Sequence, residues 1–393
     1  MSLDRGTRAG MLAAVERFTA ERVAPRAAAI DESGELPRDL WKEAAELGLF
    51  ALGVPEEYGG LGRDIVTPLL ISELLARGSA SFSLSFNNTT DAAVPIIMEG
   101  SEAMKRRYLP KVAKGEMIPC IAITEPTGGS DMAGIRTAAV REGDDYVING
   151  RKMWITNAPV GDFFTVFCRT SADRHKGLTA IVVDRGTKGL TTGKAEPLIG
   201  LRGSPTGEVV FDNVRVPVAN RLGEEGDGFR IGALTLDESR LHCAAVALGV
   251  ATAALEHALA YAKERVQFGK PIIEHQGLMF LVSELATELA AARALWEKSA
   301  GLLTSDHSRR TSNYAAMTKL LCSDLCMKVT TEAVQIFGAN GLSRSYPVER
   351  LMRDAKAFQI YDGTSQIQKW LIGRQLQKSG LPYGPLDPSV AEA

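Results

Sequence analysis

The sequence predicts an α+β chain in which helices and strands are segregated into three consecutive zones. Three observations predict it. Apolar residues recur at three- and four-residue spacing from about residue 11 to 114, as in Met11, Val15 and Phe18 and again in Leu70, Leu74 and Leu75. Between about 118 and 218 the pattern changes to short runs rich in β-branched and aromatic residues, separated by turn clusters such as Glu142-Gly143-Asp144-Asp145. From about 229 long helical periodicities return. This order points to separate helical and β parts and away from a doubly wound sheet.

In chain order, Gly59-Gly60 and Gly62 mark a loop inside the first helical zone. The strands expected next cover Ile118–Ile123, Tyr146–Ile148, Phe163–Cys168, Leu178–Val183 and Val209–Phe211, as in a β sandwich or barrel. A long helix over Leu236–Arg265 carries small residues (Ala244, Ala245, Ala251, Ala254) suited to close packing. Helices over Gln276–Leu303, Ser312–Phe337 and Val348–Lys356 follow, and a last one opens near Thr364. The tail after Leu381, rich in Pro and Gly, is expected to fray. The domain boundaries expected are 1–116, 117–226 and 227–393.

Composition narrows the function. The 393 residues are 45% hydrophobic and 23% charged, with a formal net charge of −2, so no basic footprint for nucleic acid is present. No apolar run is read as reaching the roughly 18–20 residues that span a bilayer, and the N-terminus lacks a signal-peptide layout. A cytoplasmic protein without membrane insertion is expected. The five cysteines are expected as reduced, buried thiols, and neither they nor the scattered histidines form a metal-ligand set.

Several segments carry chemistry. Thr124-Glu-Pro-Thr-Gly-Gly-Ser130 leaves a strand for a loop in which Gly128 and Gly129 permit close backbone approach and Ser130 offers a hydroxyl to a phosphate-bearing ligand. A plain glycine turn would have the same sequence. Trp154-Ile-Thr156 alternates on a strand, placing Trp154 and Thr156 on one face; a core Trp is the alternative. Arg265 and Phe268 stand at a helix end before Gly269, read as a C-cap. Leu236-Asp237-Glu-Ser-Arg240 opens the long helix, so Asp237 also suits the helix dipole. Ser83, Asn87 and Asp91 form a polar stripe at i, i+4, i+8 in the apolar segment Ser81–Met98. A buried Asp there is costly unless hydrogen-bonded or functional.

With Arg265-Val-Gln-Phe-Gly269, Gln335-Ile-Phe-Gly338, Met352-Arg-Asp-Ala-Lys356 and Ile360-Tyr-Asp-Gly-Thr-Ser-Gln-Ile-Gln368 in order behind Ala122–Asp131 and Asn149–Asn157, the sequence resembles the acyl-CoA dehydrogenases along nearly its whole length. The resemblance implies that family's fold: an N-terminal helical domain, a central β-barrel or sandwich and a C-terminal four-helix bundle. It implies FAD as cofactor, an acyl-CoA thioester as substrate, a homotetramer, and an electron-transfer flavoprotein as acceptor. The cofactor-binding residues it implies are Ile121, Ile123, Thr124, Gly129, Ser130, Trp154, Thr156, Arg265, Phe268, Gln335, Gly338, Thr364 and Gln366. Among these, Trp154 would lie against the flavin ring, and the Arg265–Phe268 pair would reach the FAD of a neighbouring subunit. For substrate it implies Leu236, Asp237, Arg240, Tyr361 and Gly363, with Ser83 and Asn87 lining the acyl pocket.

The sequence departs from the family at the base. Most members carry Glu in the Tyr-Glu-Gly-Thr motif, where this chain has Asp362; a second subset carries Glu before the helix arginine, where this chain has Ser239. Asp is shorter by one methylene, about 1.5 Å of reach. Asp362 is therefore expected as base, with Asp91 as a second catalytic carboxylate, as in relatives that use aspartates around an alicyclic ring. The expected substrate is a compact cyclic or branched acyl-CoA; a short or medium linear acyl-CoA, with Asp91 structural, is the alternative. A flavin-binding relative without dehydrogenase activity is the reading from another class.

Overall fold

The computed structural model describes residues 4–62, 64–305 and 309–381. The tail after Leu381 lies outside them. Six helices lead: α1 (Arg5–Phe18), α2 (Ala27–Ser33), α3 (Arg38–Glu46), α4 (Val66–Gly78), α5 (Ala80–Glu99) and α6 (Glu102–Ala113). The apolar stripe of α1 supplies buried Val15 and Phe18 to a core with Trp41, Phe50, Phe82 and Phe86. Helix α5, capped by Ser79 Oγ accepting from Phe82 N at 3.3 Å, is buried along most of its length. The amphipathic rule fails there because α5 has protein on several sides, first α4, then the C-terminal helices and the sheet.

Strands β1 (Pro119–Ala122), β2 (Ala138–Glu142), β3 (Asp145–Thr156), β4 (Phe163–Arg169), β5 (Leu178–Asp184), β6 (Leu190–Thr192), β7 (Thr206–Pro217) and β8 (Arg221–Leu222) form one mixed sheet. Its order is β6-β7-β3-β2-β4-β5-β8, with β1 beside β4. A single register pair, Ala138 with Arg169, joins β2 to β4. Around that narrow join the two halves share a core of Tyr146, Ile148, Phe164, Val166, Ile181, Val209 and Phe211. The opposite face of β4 and β5, through Phe163, Phe167, Leu178 and Val182, packs against helices. Both faces of these two strands are thus buried, which is why they read as continuous apolar runs.

Helices α7 (Gly228–Glu264), α8 (Gln276–Ser305), α9 (Arg309–Phe337), α10 (Val348–Phe358) and α11 (Ser365–Ser379) complete the chain. The hairpin β9 (Val266–Gln267) with β10 (Lys270–Pro271) follows α7. The alanine stripe of α7 is buried as expected, and at Gly249 the helix lies so close to α4 that a Cβ would stand 2.3 Å from Glu73 O. By length and composition α7 alone among the described helices could cross a membrane, which corrects the reading that no segment could. Its apolar window is 72% buried inside the protein, so it is the core helix of the bundle.

Two local expectations change. Helix α7 begins at Gly228, so Asp237 lies more than two turns inside it and cannot be explained by the N-terminal dipole. Gly269 is not a helix C-cap: Phe268 (φ 54°) and Gly269 (φ 81°) form the two-residue turn of the hairpin, whose twist demands positive φ at both positions.

Candidate active site

Asp362 stands in the turn between α10 and α11 at φ 52°, a conformation a non-glycine residue keeps only when its surroundings impose it. The surroundings are explicit. Gln368 Nε2 donates to the carbonyls of Asp362 (3.0 Å) and Gly363 (2.9 Å), and Lys319 Nζ, from buried α9, donates to Gly363 O at 2.7 Å. Ser239 Oγ, from α7, donates to Asp362 Oδ2 at 2.6 Å. Desolvation pushes the Asp362 carboxyl above its ordinary range, opposed by Ser239, Lys319, Arg240 and His242.

Helix α5 brings Asn87 and Asp91 to the same place, both buried. Between them lies His242, three residues beyond Ser239 on α7; its Nδ1 is 2.7 Å from Asn87 Oδ1 and 3.2 Å from Asp91 Oδ1. Burial raises the Asp91 carboxyl, with the Asp362 charge adding to that, while His242 and the Ser239 hydroxyl oppose it. The i, i+4 stripe is therefore real for Asn87 and Asp91. Ser83 departs from it: its hydroxyl donates back to Ser72 O on α4 at 2.6 Å.

Several buried polar atoms here have no hydrogen-bond partner among the described residues: Tyr361 OH, Arg240 Nε, His242 Nε2 and Asp91 Oδ1. Such atoms are costly to bury without a partner, and a polar ligand would satisfy them. Arg240 is also fixed against Asp237, which accepts from Ser312 Oγ at 2.8 Å. Leu236 sits beside them, partly exposed.

The cofactor residues expected from the sequence fall in two places. Around the strand end, Thr124 O accepts from Met153 N at 2.8 Å, and a Cβ on Gly129 would meet Thr124 at 3.0 Å. Strand β3 is not regular there. Its register shifts between Lys152 and Ile155 and Trp154 takes φ 61°, so its indole is 52% exposed rather than in the core. The bulge interrupts the period-two argument that placed Trp154 and Thr156 on one face, and it also removes the core-Trp alternative. Ile121, Ile123 and Thr156 are partly buried nearby in sequence; Ser130 is exposed.

The second place is a cavity of about 290 Å³ lined by Arg265, Gln267, Gly338 and Asn340, under Phe337 stacked on Tyr261 at 4.1 Å. Gln335 is exposed one turn away, and Phe268 projects from its hairpin 94% exposed. An exposed aromatic on a bulge, a glycine turn and a cation beside a cavity fit the ring and diphosphate of a flavin nucleotide. Thr364 caps α11, its Oγ accepting from Ile367 N at 3.2 Å, and Gln366 is exposed in the first turn.

Some motif residues prove architectural. Glu125 accepts from Arg136 N (2.8 Å) and Thr137 N (2.7 Å) and pairs with fully buried Lys152 at 3.0 Å, locking the loop onto β3. Asp354 accepts from Leu201 N at 2.6 Å, and Arg353 pairs with Asp31 at 2.6 Å, tying α10 to both earlier zones.

Comparison with known proteins decides the family. Residues 8–116, 120–214 and 226–377 match in turn the N-terminal, middle and C-terminal domains of acyl-CoA dehydrogenases. The chain belongs to the acyl-CoA dehydrogenase family. This dehydrogenase is 42% identical over 366 residues to an acyl-CoA dehydrogenase of Bacillus subtilis, covering 92% of this chain and 96% of that one. It is 43% identical over 369 residues to cyclohex-1-ene-1-carbonyl-CoA dehydrogenase of Syntrophus aciditrophicus, covering 92% and 88%. The solved butyryl-CoA dehydrogenase of Megasphaera elsdenii superposes with a TM-score of 0.91 at 38% identity, over 96% of this chain and 99% of that one. The dehydrogenase is an FAD enzyme with its family's fold.

Sequence reasoning missed His242, Lys319, Gln368, Glu125 and Lys152, and it treated Ser239 only as a lost glutamate. Two signals were available. Ser239 and His242 are spaced i, i+3 on one helix face, and Lys319 is a lone charge within an apolar run from Ala315 to Leu321.

Proposed function

We propose that the dehydrogenase desaturates a compact cyclic or branched acyl-CoA, with Asp362 as the base at the α-carbon and Asp91 acting on or orienting a more distal carbon. The observation that supports this most is that carboxylates from α5 and from the α10–α11 turn meet neighbouring positions of one α7 face: Ser239 Oγ donates to Asp362 Oδ2 at 2.6 Å, and His242 Nδ1 lies 3.2 Å from Asp91 Oδ1. A carboxylate abstracts a weakly acidic α-proton when it is held near that carbon and shielded from water. Ser239, Lys319 and Gln368 do the holding. Arg240 and Asp237 form the entrance expected to receive the CoA end, and Tyr361 with Gly363 borders the acyl group. FAD, when bound, accepts the hydride.

In this reading Thr124, Gly129, Ser130, Trp154, Thr156, Thr364 and Gln366, with Ile121 and Ile123, hold the flavin. Arg265, Phe268, Gln335 and Gly338 reach the cofactor of a partner subunit, in a tetramer that passes electrons to an electron-transfer flavoprotein. The domains run over 1–116, 117–226 and 227–393, close to the matched segments. Five buried free cysteines suit a reducing cytoplasm.

A linear substrate is the second reading, favoured by the His242 contact that already accommodates Asp91. Anaerobic mixing with butyryl-, isobutyryl-, octanoyl- and cyclohexanecarboxyl-CoA, followed by flavin absorbance, separates them. Bleaching by the cyclic thioester, lost in Asp362→Ala, is expected. Fast bleaching by a linear chain alone would return Asp91 to a structural role, and bleaching that survives Asp362→Ala would show that the base lies elsewhere.

A further inference from the structure

The Nδ1 atom of His242 stands between two oxygens of α5, Asn87 Oδ1 at 2.7 Å and Asp91 Oδ1 at 3.2 Å. An amide oxygen only accepts, so Nδ1 carries the hydrogen, and a carboxylate on the same nitrogen fits that tautomer. The hydrogen goes to Asn87. Asp91 Oδ1 is left without a hydrogen bond although the imidazole stands beside it, on a residue only 3% exposed. An unbonded oxygen in such a place is costly, and a carboxylate kept only for structure would take the N–H next to it. Asn87 withholds that N–H.

We propose that His242, aimed by Asn87, is a positioning residue for Asp91: its charge keeps the carboxylate ionised, and the Asn87 amide keeps Oδ1 free to bear on the distal part of the acyl group. The proposal rests on the reading of Asp91 as a residue that acts on that group. The imidazole itself makes and breaks no bond to substrate. Asn87 and Asp91 lie one turn apart on α5, at i and i+4, and His242 meets both from α7. The electrostatics agree with the contact. Burial alone lowers the His242 imidazole, but the Asp91 carboxylate outweighs it and holds the ring above its ordinary range. Among the groups opposing the desolvation of Asp91, His242 comes first.

The titratable groups acting on this pair are Glu238 from α7 and Asp362 and Tyr361 from the α10–α11 turn. All three are either neutral or negative, so none replaces the imidazolium. Lys319 of α9 and Arg240 of α7 act on Asp362.

The test compares kcat/KM for cyclohexanecarboxyl-CoA and butyryl-CoA in the holoenzyme. Asp91 is read separately, by infrared titration without thioester, as the carboxyl signal that Asp91→Asn removes. In the wild type that signal is expected to be a carboxylate near neutrality; a protonated carboxyl there would overturn the proposal. His242→Asn keeps an N–H for Asn87 and carries no charge. It is expected to lower the cyclic-to-linear ratio about 100-fold near neutrality, since an adjacent opposite charge changes the ionised fraction of a carboxyl by about 10- to 1000-fold. The loss should be recovered as pH rises, because Asp91 then ionises unaided, and the infrared signal near neutrality should be that of a protonated Asp91. Asn87→Leu is expected to lower the ratio as well but to leave Asp91 ionised, since the freed N–H turns to Oδ1. If Asp91 stays ionised in His242→Asn and the lost ratio does not return at high pH, the imidazole only packs and the proposal is overturned. A wild-type ratio in Asn87→Leu would overturn it too. A wild-type ratio in Asp91→Asn would instead overturn the reading of Asp91 on which the proposal rests, whatever the infrared signal.

Discussion

Lys319 Nζ donates to the carbonyl of Gly363 across 2.7 Å, which fastens a fully buried cation of α9 to the turn that carries Asp362. The contact holds the backbone at φ 52° and places positive charge where Asp362 must ionise. Removing that charge leaves burial less opposed, so the Asp362 carboxyl rises further. In Lys319→Met the acid limb of kcat against pH is therefore expected to move to higher pH, with kcat near neutrality down about tenfold. Gln368 still donates to Gly363 O, so the melting temperature should reflect a loss of only about 1 kcal/mol. An unmoved pH profile would mean that Lys319 is structural only.

Trp154 combines a left-handed backbone with an indole 52% exposed, so it contributes strain without the burial that ordinarily offsets it. Such a residue costs on the order of 1–3 kcal/mol, and glycine at the same φ does not carry that cost. Trp154→Gly is expected to raise the stability of the flavin-free protein by about 1 kcal/mol and to weaken FAD binding at least about tenfold. Melting of the apoprotein and flavin titration check the two halves. A variant that melts lower and binds FAD normally would show that the bulge is not built for the cofactor.

Asp354 gives a pH prediction of definite sign. Burial pushes its carboxyl up to about 7, against the Leu201 N–H it accepts. The folded protein therefore holds a proton that the unfolded chain releases near pH 4, so this site's stability is present at low pH and lost as pH rises toward 7. Asparagine keeps an acceptor for Leu201 N and carries no charge. Asp354→Asn should thus stabilise the protein by about 2–3 kcal/mol more at pH 8 than at pH 5. Equal shifts at both pH values in thermal melts would refute it.

Legibility in the sequence followed the range of the forces involved. Zones set by periodic burial were readable: α8, α9 and α10 lie within a few residues of their expected spans. Strand β2 and the two short strands β6 and β8 were not anticipated, because little in their own sequence distinguishes them from turns. The positive φ at Trp154 and Phe268 was invisible for a related reason: their partners across the bulge and hairpin impose it. At the site, Asn87 and Asp91 were found because they share a helix face. His242, Ser239 and Lys319 acquire meaning only when α5, α7, α9 and the last turn meet, 155 residues separating Asn87 from its histidine.

The short side chain at Asp362 is matched to its pocket, which yields the last prediction. Its Oδ2 already meets Ser239 Oγ at 2.6 Å, and one more methylene carries a carboxylate roughly 1.5 Å further, into the serine or into the acyl space. A bulky ring and a longer base then compete for the same volume, whereas a thin linear chain leaves room. Asp362→Glu should therefore lose about 10–100-fold in kcat/KM with cyclohexanecarboxyl-CoA while keeping, or gaining, rate with butyryl-CoA. The ratio of the two rates is the informative quantity, because a general loss of folding or flavin lowers both together. A ratio that stays constant would mean that the length of the base does not select the acyl group, and selection would then have to lie in the α5 face around Asn87 and Asp91.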